Sequence, residues 1–562
     1  MEHRFPSISP FLELIEQERR SPNKIILRDH TSGVTVTAGQ LLYSVSLLRN
    51  KLDKALLHNG YYESEHNGEK FIFLIAPPGV QYLVSMLTIF SLAAGMSAQS
   101  IVVRPEEVKA HFKVARPIGL LYAPAFAQKA EAIKKLCAES DSGIDPNLPY
   151  VEIETSFPGS FESHTYVLEE PFETDLLRLG TLFFTSGTSG AQKGVVHSYE
   201  ALLASARERI ETWKLTENDV LLNQKPGNWM GGIFGIIPSL MAGSCLETCI
   251  DVFNPKWFWE RISKGDVSIF DIAPTGYDRL AQYFDEHIAV LPHAQKEKYI
   301  RGMIATRCAG VTGSLIQPRI QERWTKLRRG KPLLNFLGST EVTLICNMKW
   351  ENPDYPDMCS VGPAVPGVEV KLVEGEMRLK APTMFSHYIS DDPAQTRKAF
   401  DEEGFFKTGD CAEKVGDCYV IHGRANIDVL HFWGFTVHTG EVENALSSLP
   451  YIANAVAFPI EDEKCQERTA AVLEIKPGFQ ARQPDLQRIR ADLKEKTGLF
   501  LFKYPTVIYW LREGEDIPET SNGKISKKEA RKKFFGDRWQ HNENLEILDL
   551  KGMEYWRMGG LS

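Results

Sequence analysis

The chain has 562 residues, 43% hydrophobic and 24% charged. That is room for roughly three to four domain-sized units and argues against a disordered, collagen-like or coiled-coil protein. Its 64 basic and 73 acidic residues leave a net charge of −9, which argues against a nucleic-acid partner held by bulk charge. Nine cysteines, with only Cys245 and Cys249 close together, suggest neither a disulfide framework nor a tetrathiolate zinc site, so a reducing, cytoplasmic compartment is expected.

Met1 to Arg20 carries Glu2, Glu13, Glu16 and Glu18 without an unbroken apolar core, unlike a secretory signal or an Arg-rich transit peptide. Phe71 to Ile75 is a short apolar run that predicts a strand. Tyr82 to Ala94, the longest apolar stretch, contains Ser85, Thr88 and Ser91. It falls short of the roughly 20 residues that span a bilayer and predicts a buried core helix, with no integral membrane segment. Glu139 to Pro149 is polar and rich in turn formers, a loop or an insertion. Leu182 to Phe184 and Val267 to Ile272 predict strands, and Ala201 to Trp213 has a helical period. This alternation predicts an α/β fold of layered sheets and helices, with ligands beyond the carboxyl ends of parallel strands. Gly404 to Ile421 is a strand pattern punctuated by Gly and Asp; the composition then changes, which places a domain boundary near residues 423–428. The expected division is a large domain over 1–423 and a small α+β domain over 424–562. No period of 20 to 50 residues marks a solenoid or propeller. Trp539 to Ser562 reads as either a docked segment or a frayed end, and Gly560, Leu561, Ser562 is not a peroxisomal ending.

Thr181 to Ser198, TLFFTSGTSGAQKGVVHS, runs an apolar strand into a turn of hydroxyls, glycines and a lysine. Small residues let a backbone approach phosphate oxygens, amides and hydroxyls donate to them, and Lys193 adds a mobile charge. The competing reading is a plain Gly/Ser surface loop, which the preceding strand and the lysine disfavour. The spacing departs from a Walker loop, since Gln192 precedes Lys193 and Gly194 stands where Ser or Thr is required. It also lacks the G-x-S-x-G order of a hydrolase elbow.

TSGTSGAQKG resembles the phosphate loop of the adenylate-forming superfamily, which includes acyl-CoA synthetases, aryl-CoA ligases, luciferases and peptide-synthetase adenylation domains. Four further segments fall in that family's order: LGSTE at Leu337 to Glu341, GFFKTGD at Gly404 to Asp410, HGRANID at His422 to Asp428, and IPETSNGK at Ile517 to Lys524. The resemblance implies an ATP-dependent ligase that converts a carboxylic acid to an acyl-adenylate and passes the acyl group to coenzyme A. It implies that Thr185, Ser186, Gly187, Thr188, Ser189, Gly190 and Lys193 cradle the phosphates, and that Leu337, Gly338, Ser339 and Thr340 lie against the nucleotide. Glu341, with Thr185 nearby, would hold Mg2+, a hard cation that takes oxygen ligands. Asp410 would accept the ribose hydroxyls and Arg424 would make a second ribose or phosphate contact; a structural turn residue or an ion pair is the alternative for each. Lys524 would reach from the small domain to the reacting phosphate during adenylation, and the domain would then swing about residues 424–428 for thioester formation. Without the motif, Lys524 belongs to a solvated basic run with Lys527, Lys528, Arg531, Lys532 and Lys533.

The malonyl-CoA-synthetase-like acyl-CoA ligases are the branch most resembled, with departures. Trp229 in PGNWMGG stands where the family usually has histidine, and Phe336 and Leu337 stand where the malonate branch has an arginine and then a tyrosine. Trp229, Gly232, Gly310, Phe336 and Gly434 are the expected acyl and thiol contacts. The departures predict a more apolar or differently shaped acyl pocket unless Arg307 or Lys225 supplies charge; core packing is the alternative. Trp433 before Gly434 would narrow access for coenzyme A. Two other readings stay open: an adenylating enzyme that loads a separate acyl carrier protein, and a nucleotide-binding homologue whose ligase activity has decayed.

Overall fold

In a computed structural model, the described residues are 2–58, 69–139, 143–158, 165–170, 179–186, 192–249, 253–313, 316–351, 360–390, 392–424, 428–432, 435–479, 483–497, 499–519, 525–536 and 539–550. Two large sheets form the first part of the chain. The seven-stranded sheet runs, edge to edge, through His387–Ile389, Gln192–His197, Thr181–Ser186, Gly95–Ala98, Phe71–Ile75, Gly119–Tyr122 and Tyr150–Glu152. Phe71–Ile75 is wholly buried and pairs in parallel on both sides, as a continuous apolar run covered on two faces should.

The eight-stranded sheet holds Thr343–Asn347, Leu334–Ser339, Cys308–Val311, Ile269–Ile272, Val220–Asn223, Cys245–Thr248, Ile25–Asp29 and Val34–Thr37 in that order. Its inner strands are parallel, so Lys225, Thr312 and Glu341, which follow three of them, emerge at the same end. One apolar cluster draws side chains from both sheets and from the helices Ala38–His58, Val80–Ser91 and Met230–Ala242. Those helices therefore form a buried layer between the sheets. Val80–Ser91 is the helix expected from Tyr82 to Ala94, displaced toward the N-terminus by Gly79, which precedes its first turn. Among the described residues no helix is long and apolar enough to cross a membrane, and the described cysteines are free.

A five-stranded sheet follows, ending with Phe406–Val415 and Cys418–Arg424. The next strand, Val429–Phe432, belongs to a different, six-stranded sheet with its own apolar clusters. The first part of the tail is docked: Trp539 and Leu545 are buried, and Glu546–Ile547 pairs with Val507–Trp510. Residues 551–562, with Trp556 and Met558, lie outside the described set.

Candidate active site

Thr181–Ser186 and Gln192–His197 are antiparallel, with Lys193 opposite Thr185. On its other edge the second strand pairs with His387–Ile389, which sets Val195 against Tyr388. The turn after Leu334–Ser339 is tied to this edge, for the Phe385 amide donates to the Glu341 carbonyl at 2.7 Å. Thr185, Lys193, Glu341 and Tyr388, distant in sequence, are thereby brought together.

Their side chains form one network. Lys193 Nζ donates to Glu341 Oε1 at 3.1 Å, and the Tyr388 hydroxyl donates to the same oxygen at 2.9 Å. Lys193 Nζ also lies 3.8 Å from the Tyr388 ring centroid, a cation–π contact. Burial first, then the Glu341 charge, holds the Tyr388 phenol far above its ordinary range, so it stays a donor. Among the described residues both contacts fall on Oε1, leaving Oε2 as the uncommitted acceptor. The Thr185 and Ser339 hydroxyls are buried without a hydrogen-bond partner among the described residues. A buried unpaired hydroxyl costs about 1–3 kcal/mol, which a phosphate or hydrated cation would relieve.

His197 supports the turn. Its Nε2 donates to the Thr340 carbonyl at 2.6 Å, and burial pushes the imidazole down to about 4, so it is neutral at pH 7. Leu337 is half-buried and Gly338 exposed. A methyl group on Gly338 would meet the Thr343 carbonyl oxygen at 2.2 Å, so only glycine allows that backbone approach. Gly187, Thr188, Ser189, Gly190 and the Ser186 side chain lie outside the described residues.

Asp410 and Arg424 face each other across adjacent strands. Arg424 Nε donates to Asp410 Oδ1 at 3.0 Å. Asp410 is 7% exposed. Burial raises its carboxyl, Arg424 draws it back, and the charges of Asp428 and Glu341 add to the upward push. Both residues expected to touch a nucleotide thus already form an ion pair. Beyond them, Asp428 Oδ2 accepts from the Arg424 amide at 3.0 Å, while Oδ1 accepts from Lys527 at 2.5 Å. Lys527 also reaches Glu443 at 2.8 Å. The basic run whose alternative reading was a solvated face therefore contains a half-buried, doubly paired lysine. Lys524, Trp433 and Gly434 lie outside the described residues.

At the carboxyl ends of the central strands the acyl-side candidates assemble. Trp229 precedes the helix Met230–Ala242 and is half-buried, with its indole Nε1 buried and unpartnered. A methyl group on Gly232 would meet the Pro226 carbonyl oxygen at 2.3 Å. On Gly310 it would lie 2.3 Å from Phe336 Cε2, because the Phe336 ring covers that glycine. Phe336 is 5% exposed and packs 5.9 Å from the Trp213 ring. Of the two cations that could supply charge beside Phe336, Lys225 is the one at this sheet end: it is ion-paired with Asp271, which lies directly opposite Gly310 in the sheet. Arg307, the other cation considered, precedes its strand and pairs with Asp219 at the opposite end.

Tyr388, His197, Lys527 and Asp271 had no role in the sequence reading. Asp271 could have been suspected, as a charge inside the apolar strand IFDI; Tyr388 is placed only by the pairing of distant strands.

The model of the AMP-binding enzyme family matches residues 14–384, and that of its C-terminal domain matches 441–524. The chain belongs to the AMP-binding enzyme family. It is 28% identical over 553 residues to the acyl-CoA ligase oryP of Aspergillus oryzae, covering 97% of this chain and 96% of that protein. It is 27% identical over 494 residues to a malonate–CoA ligase of Arabidopsis thaliana, covering 82% and 77%. Among solved structures, ATP-bound MatB from Rhodopseudomonas palustris superposes with a TM-score of 0.76 at 20% identity, over 94% of this chain and 99% of that one. The anthranilate CoA ligase AuaEII, solved with anthranoyl-AMP, gives 0.74 at 20% identity over 93% and 96%. In this AMP-binding enzyme, the described residues contain no group of three or more His, Cys, Asp or Glu that could hold a metal ion alone.

Proposed function

We propose that the protein is an ATP-dependent acid–thiol ligase that forms an acyl-adenylate from a carboxylic acid and transfers the acyl group to coenzyme A. The observation that carries this reading is the Lys193–Glu341–Tyr388 network beside the unpartnered hydroxyls of Thr185 and Ser339. It supplies a cation, a carboxylate with a free oxygen and two unspent hydroxyls within one group of strand ends. Adenylation brings a carboxylate toward a polyphosphate, so the site must neutralise anionic oxygens and align the carboxylate with the α-phosphorus. Lys193 and the Thr185 hydroxyl hold phosphate oxygens, and Tyr388 orients Glu341. Magnesium, with Glu341 and Thr185 as the residues that fit it, would neutralise phosphate charge. Asp410 accepts the ribose hydroxyls, with Arg424 fixing its orientation. In the two-domain division at 423/424, Lys524 approaches the α-phosphate from the small domain and withdraws before thioester formation. A cytoplasmic setting belongs to the same reading.

ATP–pyrophosphate exchange over a panel of carboxylic acids, followed by addition of coenzyme A, tests this. Exchange that depends on an acid, then acyl-CoA, is expected; exchange without thioester assigns the acyl group to a carrier-protein thiol, and no exchange with any acid rejects adenylation. Lys524→Ala is expected to lower exchange by about 10²- to 10³-fold, the scale for one lost charge-stabilising donor. Thioesterification of supplied acyl-adenylate should survive, and equal loss in both half-reactions contradicts the role.

A further inference from the structure

Lys225 and Asp271 are an ion pair that the proposed chemistry does not use. Both stand at the sheet end from which Glu341 emerges, and Asp271 lies beside Gly310, the glycine under the Phe336 ring. The lysine is 11% exposed and the aspartate 14%. An ion pair this far out of water gives little net stability, because desolvation offsets the attraction, and an apolar pair of similar size often serves a fold as well. Its presence at the strand end where the ligase site is proposed calls for a different account.

The pair is also incompletely used. Lys225 Nζ and the Thr312 hydroxyl both bond Asp271 Oδ2, the latter at 3.2 Å. Among the described residues Oδ1 accepts nothing, and the ammonium has made one of its three donations. In the connected segment, Gln224 Oε1 and Trp229 Nε1 are buried without partners among the described residues. The locale therefore offers a spare acceptor and spare donors while the two charges of the pair cancel; the buried Arg209 guanidinium, close enough to act on both, is balanced by Glu208 at 3.9 Å. Burial lowers the Lys225 ammonium and Asp271 opposes that fall.

We propose that this pair selects acids carrying an uncharged hydrogen-bonding group, such as a hydroxyl, oxo or carboxamide, remote from the carboxyl that is activated. The inference rests on the adenylation reading and names its substrate class. A hydroxyl donates to Asp271 Oδ1 and accepts from Lys225 at once. A second carboxylate would meet Asp271 with Lys225 already neutralised by it and Arg209 balanced by Glu208, and Phe336 supplies no replacement charge. An alkyl or unsubstituted aryl tail would leave the buried donors and acceptors unpaired, the situation in which hydrogen-bonding pockets discriminate most strongly.

The test measures kcat/KM for ATP–pyrophosphate exchange with matched sets: hexanoate, 6-hydroxyhexanoate and adipate, then benzoate, 4-hydroxybenzoate and terephthalate. The hydroxy acid is expected to exceed both companions by at least about tenfold in one set. In the double variant Lys225→Met with Asp271→Leu, preference should pass to the unsubstituted acid with the KM for ATP held. Asp271→Asn, which leaves the lysine uncompensated, should raise the dicarboxylate relative to the other two. Thermal unfolding with and without ATP identifies folded variants, and the wild-type comparison stands without them. If the unsubstituted or dicarboxylic acid leads in both sets, or the folded double variant keeps the hydroxy acid first, the inference is overturned while adenylation stands. If no acid supports exchange, the adenylation reading falls and this inference with it.

Discussion

Glu341 has two carboxylate oxygens, and its neighbours decide which is available. Lys193 and Tyr388 converge on Oε1, while the backbone before it is held by a neutral His197 through the Thr340 carbonyl. The histidine makes a measurable statement about pH. Its folded value near 4 lies below the ordinary 6.5 because burial disfavours the imidazolium. Between those values the unfolded chain binds a proton that the folded chain does not. Stability is therefore complete above the unfolded value and declines as pH falls from 6.5 toward 4. From about pH 7 to about pH 5 this one group should remove about 2 kcal/mol. His197→Gln retains an amide donor for Thr340 and does not titrate, so its denaturation midpoint should fall less over the same interval. Parallel declines for variant and wild type would assign the acid sensitivity to other groups.

The elements differ in how plainly the sequence announces them, and the reason is the range of the forces that fix each one. Phe71–Ile75 and Tyr199–Trp213 are legible because an unbroken apolar run and a helical period act locally, and the structure moves their bounds by at most a few residues. Thr185, Glu341 and Asp410 stood out as members of ordered motifs, and the structure sets Glu341 beside Lys193, whose strand pairs with that of Thr185. What was not legible is pairing: nothing near Tyr388 in the chain shows that its strand runs beside Val195. Nor does Phe336 reveal that its ring lies over Gly310, since that contact depends on the register of neighbouring strands. This element-level fit predicts the effect of Gly310→Ala. The added methyl group would lie 2.3 Å from Phe336 Cε2 and 2.7 Å from Asp271 Cβ. Overpacking of this kind costs about 1–3 kcal/mol. A lower melting temperature is expected, with kcat/KM for the acid reduced more than the KM for ATP is changed. Full stability and an unaltered acid profile would show that the ring moves aside freely.

Across the whole molecule, Asp428 links the end of the five-stranded sheet to the lysine-rich segment, one carboxyl oxygen on the Arg424 amide and the other on Lys527. Lys527 is also bound to Glu443, on the helix Thr439–Ser447, and its ammonium is raised because the two acids outweigh the cost of burial. Lys524 precedes Lys527 by one helical turn's worth of chain, and the Ser526 amide is fixed to the Pro518 carbonyl at 2.8 Å. The base of the loop proposed to carry the adenylating lysine is thus fastened to the joint about which the small domain is proposed to turn. A basic run on a surface would be free of such a coupling; a half-buried ion triad is not. Lys527→Met leaves two half-buried acids with no cation between them, a loss below the roughly 3–5 kcal/mol of a broken, fully buried pair. Lys527→Arg keeps the charge and should recover most of the stability. The functional readout separates coupling from simple support. If the triad positions Lys524, the Met variant should slow ATP–pyrophosphate exchange by about tenfold or more, with Arg restoring it, while thioesterification of supplied acyl-adenylate changes little. Equal slowing of the two half-reactions, in step with the fall in melting temperature, would reduce Lys527 to a packing residue and leave the proposed joint without its tether.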